Sequence, residues 1–228
     1  MSRYLTEVRL GKEKAHFREM IHDVRDRFGL SSSKRPVPHV TLFGPYNTNR
    51  GYKVKRRTQD VLSNYQLVPY RVTGFDCFQD AGVVYADVEP SAELRQLRAD
   101  LVDALKPVTS DHRPWDFKTR YDYHITIAMN IQGKQSRVLD YLRNEYELDI
   151  MLYAKRITAL DSREMMWEWD VPRCTELSHK EATSRTSWQK TTFKLNELSG
   201  RAGDGGDASN ADGAVSSFKE IVGRLFRK

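Results

Sequence analysis

Two short phrases constrain this chain more than anything else in it. His39-Val40-Thr41-Leu42 and His124-Ile125-Thr126-Ile127 repeat one pattern, His-apolar-Thr-apolar, 85 positions apart. On a β-strand alternate residues share a face. His39 and Thr41 therefore point one way while Val40 and Leu42 point the other, and His124 and Thr126 stand in the same relation to Ile125 and Ile127. Each strand offers an imidazole and a hydroxyl to one surface and buries its aliphatics behind. Pro36, Pro38 and Gly44-Pro45 punctuate the first phrase, and Arg120 to Tyr123 and Asn130 frame the second, so both read as short strands. Two such strands facing each other across a cleft bring two histidines and two hydroxyls together, the equipment for acid–base chemistry on a phosphate ester.

The order of predicted elements repeats around the two phrases. Residues 3–10 alternate as a strand, and Lys12–Phe28 carry Ala15, Met20, Ile21, Val24 and Phe28 at helical spacing up to a stop at Gly29. After the first motif strand, a second helix runs to about Tyr65. Arg71–Phe78 and Val83–Glu89 then read as paired strands. From Pro90 the pattern begins again: a helix capped by Ser91 with a stripe of Leu94, Leu97, Leu101, Val102 and Leu105, a loop from Val108 to Arg120, the second motif strand, and a helix over 136–146. Ile150–Leu160 and Glu164–Trp169 read as two strands turning at Asp161-Ser162-Arg163, and Glu181–Leu198 as a last helix. The letters do not repeat but the order does, as a duplicated lobe requires; antiparallel strands with helices outside give an α+β architecture.

The paired phrases resemble those of the 2H phosphoesterase superfamily, especially its branch of 2′-5′ RNA ligase-like, 2′,3′-cyclic phosphodiesterase proteins. Tyr4-Leu5-Thr6-Glu7-Val8 as an opening strand, His39–Leu42 and His124–Ile127 carry the resemblance, which spans roughly residues 1–198. It implies a bilobal fold of two antiparallel sheets related by a pseudo-twofold, outer helices, a central cleft, one motif per lobe, and catalysis without metal or cofactor. In many relatives the second motif runs on into Ala-Arg; here Ala128-Met129-Asn130 follows, so the arginine that often holds phosphate is missing.

Composition is consistent with that reading. A net charge of +6 and a pI near 9.2 favour a polyanionic partner, nucleic acid above all; the resemblance implies that it is RNA or a nucleotide ending in a 2′,3′-cyclic phosphate. Cys77 and Cys174 are isolated, with no cysteine or histidine at metal-ligand spacing. No apolar leader or membrane-length run occurs, and a cytoplasmic protein is the expectation. Beyond the four motif residues, Phe43, Tyr46 and Tyr123 are candidates to stack on a base, and Arg113 and Trp115, with His112, sit in the long loop before the second motif, where substrate contacts are common. The basic stretch Lys53–Arg57 reads either as an RNA-tracking patch or as a solvated helix face. His16, His22 and His179 read as surface or structural.

The chain's end is different in kind. Residues 199–216, rich in Gly and Asp, read as a flexible linker. Residues 217–228 resume an amphipathic pattern, Phe218, Ile221, Val222, Leu225 and Phe226 among basic residues, which fits docking on a protein partner, on the chain's own domain or on a membrane surface. Three functions stand at this point: a cyclic phosphodiesterase acting on RNA ends, running in reverse as a 2′-5′ ligase; a non-catalytic RNA-end or nucleotide binder on the same scaffold; and a phosphodiesterase of a small cyclic nucleotide.

Overall fold

A computed structural model describes residues 2–30, 36–118, 120–161 and 164–200. The linker from residue 201 and the segment 217–228 lie outside the described residues, as does most of the turn at 161–163.

The chain runs β1 (Ser2–Arg9), α1 (Lys14–Phe28), β2 (His39–Thr48), α2 (Gly51–Leu62), β3 (Pro69–Phe78), and then repeats the order with β4 (Val83–Pro90), α3 (Ala92–Leu105), β5 (His124–Ala128), α4 (Gln135–Glu145) and β6 (Asp149–Tyr153). Three strands and two helices follow: β7 (Arg156–Asp161), β8 (Glu164–Asp170), β9 (Thr175–Leu177), α5 (His179–Thr183) and α6 (Arg185–Leu198). All pairings between these strands are antiparallel. They form a five-stranded sheet in the order β2-β1-β7-β8-β9 and a four-stranded sheet in the order β5-β4-β3-β6. Each motif strand is thus an edge strand beside the strand that opens its own lobe. The α+β class and the pseudo-repeat are as the sequence predicts.

Local chemistry explains most boundaries. Gly29 adopts the left-handed conformation (φ 61°) that stops α1. Ser91 accepts from Leu94 N at 3.1 Å to cap α3, whose stripe Leu94, Leu97, Leu101 and Leu105 is fully buried; such a leucine contributes about 2 kcal/mol. The main core joins aliphatics of both sheets, including Val8, Val40, Ile125 and Ile127, with apolar faces of α1, α3 and α4. Two sequence expectations are corrected. The single strand over 150–160 is two strands in different sheets, β6 against β3 and β7 against β1, with the chain changing sheets at Ala154-Lys155. The helix over 181–198 is broken at Ser184, which caps α6 by accepting from Ser187 N. β9 carries no sequence signal of its own.

Candidate active site

The first residue of each motif strand is its histidine, and both rings are held by the same device. His39 Nδ1 lies 2.6 Å from the carbonyl oxygen of Val37, and His124 Nδ1 lies 2.9 Å from that of Asp122, in each case two residues upstream. A carbonyl can only accept, so Nδ1 carries the proton in both rings. Nε2 is then the nitrogen left for chemistry, a lone pair when the ring is neutral and a donor when it is charged. Thr41 and Thr126, like the two histidines, are half-buried, whereas Val40, Leu42, Ile125 and Ile127 are buried in the core. Among the described residues no hydrogen bond engages either threonine hydroxyl. The two imidazoles lie within electrostatic reach of each other. Burial is the main cause holding both below the usual histidine pKa, and His39 is among the groups that lower His124.

Residues directly opposite across an antiparallel pair share a face, and this register builds the surroundings of each motif. In the first lobe Arg9 faces His39 and Glu7 faces Thr41, while on the other side of β1 Glu7 faces Thr158 and Arg9 faces Arg156. Thr158 and Arg156 in turn face Glu168 and Asp170. One face of the sheet is therefore a polar row. Glu168, fully buried, accepts from Arg9 at 2.6 Å, Arg156 at 2.8 Å and Thr158 at 2.9 Å. Arg156 also donates to Ala182 O, Ser187 and Thr191 and lies 3.8 Å over the Trp188 ring, so it fastens α5 and α6 to this face.

Glu7 and Lys14 complete the first half of the site. Glu7 Oε2 is 3.5 Å from His39 Nδ1, and burial pushes its carboxyl up to about 7. Lys14 opens α1 five residues beyond Arg9, the residue opposite His39. It is half-buried and close enough to lower His39 and to favour ionised Glu7. Among the described residues, no carboxylate forms a salt bridge with Lys14. Burial, with Arg18 and Arg9 nearby, lowers its own pKa.

The second lobe has different neighbours in the equivalent places. Asp87 faces His124 and Tyr85 faces Thr126. Phe78 and Tyr85 pack around the His124 ring at 5.1 and 5.2 Å. Asp122 and Asp87 raise the His124 pKa against the burial that lowers it.

The structure corrects two of the candidates, Phe43 and Tyr46, and places the others. Phe43 and Tyr46 are fully buried in a second core cluster with Val54, Val102, Leu105 and Val108. The β1–β2 ladder shifts register beside them, so Leu42, Phe43 and Gly44 are all buried and Phe43 no longer follows the exposed face of Thr41. The Tyr46 hydroxyl is bonded to Thr6 at 3.1 Å. Tyr123 is 4% exposed and faces away from His124; with Arg95, Arg98 and Tyr121 it lines a hollow of about 760 Å³ beside the second motif. Arg113 and Trp115 belong to a short 3-10 turn (Pro114–Phe117) pinned by Asp116, with Trp115 exposed. No contact among the described residues joins either to a motif histidine. His112 is bonded to Thr109 at 2.7 Å. Sequence reasoning missed Lys14, Glu7, Asp87, Tyr85 and Phe78. One signal was present: Glu7 and Arg9, two apart in the apolar strand Leu5–Leu10, had to share a face. No cluster of metal-ligating side chains occurs among the described residues.

The profile of the 2′-5′ RNA ligase superfamily matches residues 13–164, two thirds of the chain, and includes both motifs. The chain belongs to that superfamily. Its members are phosphoesterase enzymes. TT0787 of Thermus thermophilus superposes with a TM-score of 0.53 at 15% identity, covering 74% of this chain and 97% of its own. E. coli LigT in apo form aligns with a TM-score of 0.46 at 16% identity over 75% and 97%, and Kluyveromyces marxianus Usb1 with 0.40 at 15% over 72% and 95%. No curated protein sequence matches. Among the described residues no helix is long and apolar enough to cross a membrane.

Proposed function

We propose that this superfamily member is a metal-independent 2′,3′-cyclic phosphodiesterase acting on RNA ends, with His39 and His124 as its acid–base pair. The observation that carries this reading is the matched tethering of the two rings through Nδ1, which leaves an Nε2 on each for proton transfer. Hydrolysis of the cyclic ester needs water deprotonated as it attacks phosphorus and the departing ribose oxygen protonated as its bond to phosphorus breaks. One imidazole starts neutral and takes the first proton; the other starts charged and gives the second. Thr41 and Thr126, each two residues along from its histidine, donate to the non-bridging oxygens where charge develops. The cation that the second motif lacks is Lys14. Its ammonium, free of a carboxylate salt bridge among the described residues, supplies positive charge on the His39 side. The same geometry run backwards joins a cyclic end to a 5′-hydroxyl.

The test is a panel of 2′,3′-cyclic mononucleotides, cyclic-ended RNA and 2′-5′ dinucleotides incubated with purified protein in EDTA. Turnover of the cyclic substrates is expected. Tight binding with no turnover on any of them would make the protein a binder, and turnover restored only by a divalent ion would remove the metal-free mechanism. Turnover of cyclic mononucleotides but not of cyclic-ended RNA would favour the small-nucleotide reading.

A further inference from the structure

The basic stretch after the first motif strand is helix α2, and the fold sorts its charges into two groups. Lys55 and Arg57 are spent on the protein itself: Lys55 pairs with Glu176, and Arg57 donates to Ala104 O at 2.9 Å. Arg50, Lys53 and Arg56 have no carboxylate partner among the described residues. Tyr52 stands between them, 72% exposed, with the Lys53 ammonium 5.9 Å from its ring. Successive helical residues turn by about 100°, so Tyr52, Lys53 and Arg56 occupy one arc of about 100°, and Arg50 adjoins it at the N-cap. From Arg50 to Gln59 the chain carries five cations and no acid; the first carboxylate on the helix, Asp60, is two turns beyond Lys53.

We infer that this outward face of α2 binds single-stranded RNA, taking the strand that leads into the cleft. An exposed aromatic among unpaired cations suits a single strand: a ring accepts any base by stacking, and the cations follow the phosphates. A lone cyclic nucleotide cannot use this face. Strand β2 runs from His39 to Thr48 before α2 begins, about 30 Å at about 3.3 Å per residue. Only an oligonucleotide spans the two. The inference rests on the RNA reading of the cleft and narrows it: the substrate is a polynucleotide end, held at the cleft by its terminal phosphate and at α2 by its upstream strand.

The experiment measures fluorescence anisotropy of a twelve-nucleotide single-stranded RNA ending in a 3′-hydroxyl, titrated with the full chain across a range of salt. Alongside it, turnover of a 2′,3′-cyclic mononucleotide and binding to phosphatidylserine vesicles are followed. The triple variant Arg50→Glu/Lys53→Glu/Arg56→Glu is expected to weaken the RNA about tenfold or more. It should also make the log–log salt slope shallower by about 2, at about 0.7 per phosphate contact in single strands. Tyr52→Ala, which leaves charge unchanged, is expected to weaken the RNA about fivefold or more by losing one stacked base. Mononucleotide turnover should stay at the wild-type value in both. RNA affinity and salt slope equal to wild type in these variants would overturn the inference, as would loss of vesicle binding with RNA binding intact. Wild-type protein that turns over no cyclic phosphate yet binds the twelve-mer through α2 would defeat the catalytic reading while sustaining this one.

Discussion

The two motif strands hold equivalent places in their sheets and keep different company. Beside His39 and Thr41 stand Arg9 and Glu7, with Lys14 following from α1. Beside His124 and Thr126 stand Asp87 and Tyr85, with Phe78 against the ring. The tethering of the rings is the same in both lobes, so the histidines are presented alike. The charge around them is not: one wall of the cleft is cationic with a buried carboxyl, the other acidic and aromatic. A duplicated scaffold fixes where the imidazoles sit, and its cross-strand neighbours make the halves chemically distinct. The first wall carries charge that complements an anion, while the acidic wall complements groups that donate hydrogen bonds.

The largest effect tests what the lobes share. His39→Ala and His124→Ala should each lower kcat on a cyclic mononucleotide by about a thousandfold, within the range of acid–base catalysis, without unfolding the protein. Thr41→Ala and Thr126→Ala should each cost about a hundredfold. Comparable losses in both lobes support a paired mechanism. Near-wild-type turnover in either histidine variant would leave a single catalytic lobe and end the comparison.

Smaller effects test the difference between the walls. Lys14→Met should raise the KM for cyclic nucleotides about tenfold, the size of one charge-assisted hydrogen bond. It should also raise the His39 pKa, because Lys14 is among the groups that lower it. Asp87→Asn should act in the opposite sense, lowering the His124 pKa, because Asp87 is among the groups that raise it. Proton-detected titration of the two rings distinguishes these outcomes. If both substitutions moved the two rings alike, the walls would be electrostatically equivalent. In the wild type both rings are depressed, so the optimum of a bell-shaped pH–rate profile should fall on the acid side of 6.5.

What the sequence made legible follows from how local each feature is. Period-two alternation placed both histidine–threonine pairs on one face of a strand, and a serine cap with a leucine stripe placed α3. Little local marks the change of sheets at Ala154-Lys155: only the pair Lys155-Arg156 interrupts the apolar pattern, and tertiary pairing decides the break. Phe43 was misplaced because alternation fails where the β1–β2 register shifts, which one strand's letters do not encode, whereas Tyr46 is a candidate only through its nearness to the motif and lies on the buried side with Val40 and Leu42. Asp87, Tyr85 and Glu7 join the site only through register, a relation between segments far apart in the chain.

The smallest expected effect sharpens the comparison at one equivalent position, Glu7 in the first lobe and Tyr85 in the second. Burial raises the Glu7 carboxyl from 4.5 to about 7. The folded chain therefore holds this proton over a window in which the unfolded chain has released it, and stability falls as pH rises from about 4.5 to about 7, with the whole cost present above that. Glu7→Gln keeps the shape and removes the ionisation. It should be close to neutral at pH 5 and stabilising at pH 8 by about 2–3 kcal/mol, because each tenfold change in proton affinity is about 1.4 kcal/mol. Tyr85, whose phenol burial pushes upward, stays uncharged throughout this range, so Tyr85→Phe should show the same stability change at pH 5 and pH 8. Urea unfolding of wild type and both variants at the two pH values measures this. A Glu7→Gln effect that did not change with pH would mean that the carboxyl ionises as freely as in water. The first lobe would then present a fixed negative charge beside its histidine, and the cationic character assigned to that wall would rest on Arg9 and Lys14 outweighing it at every pH.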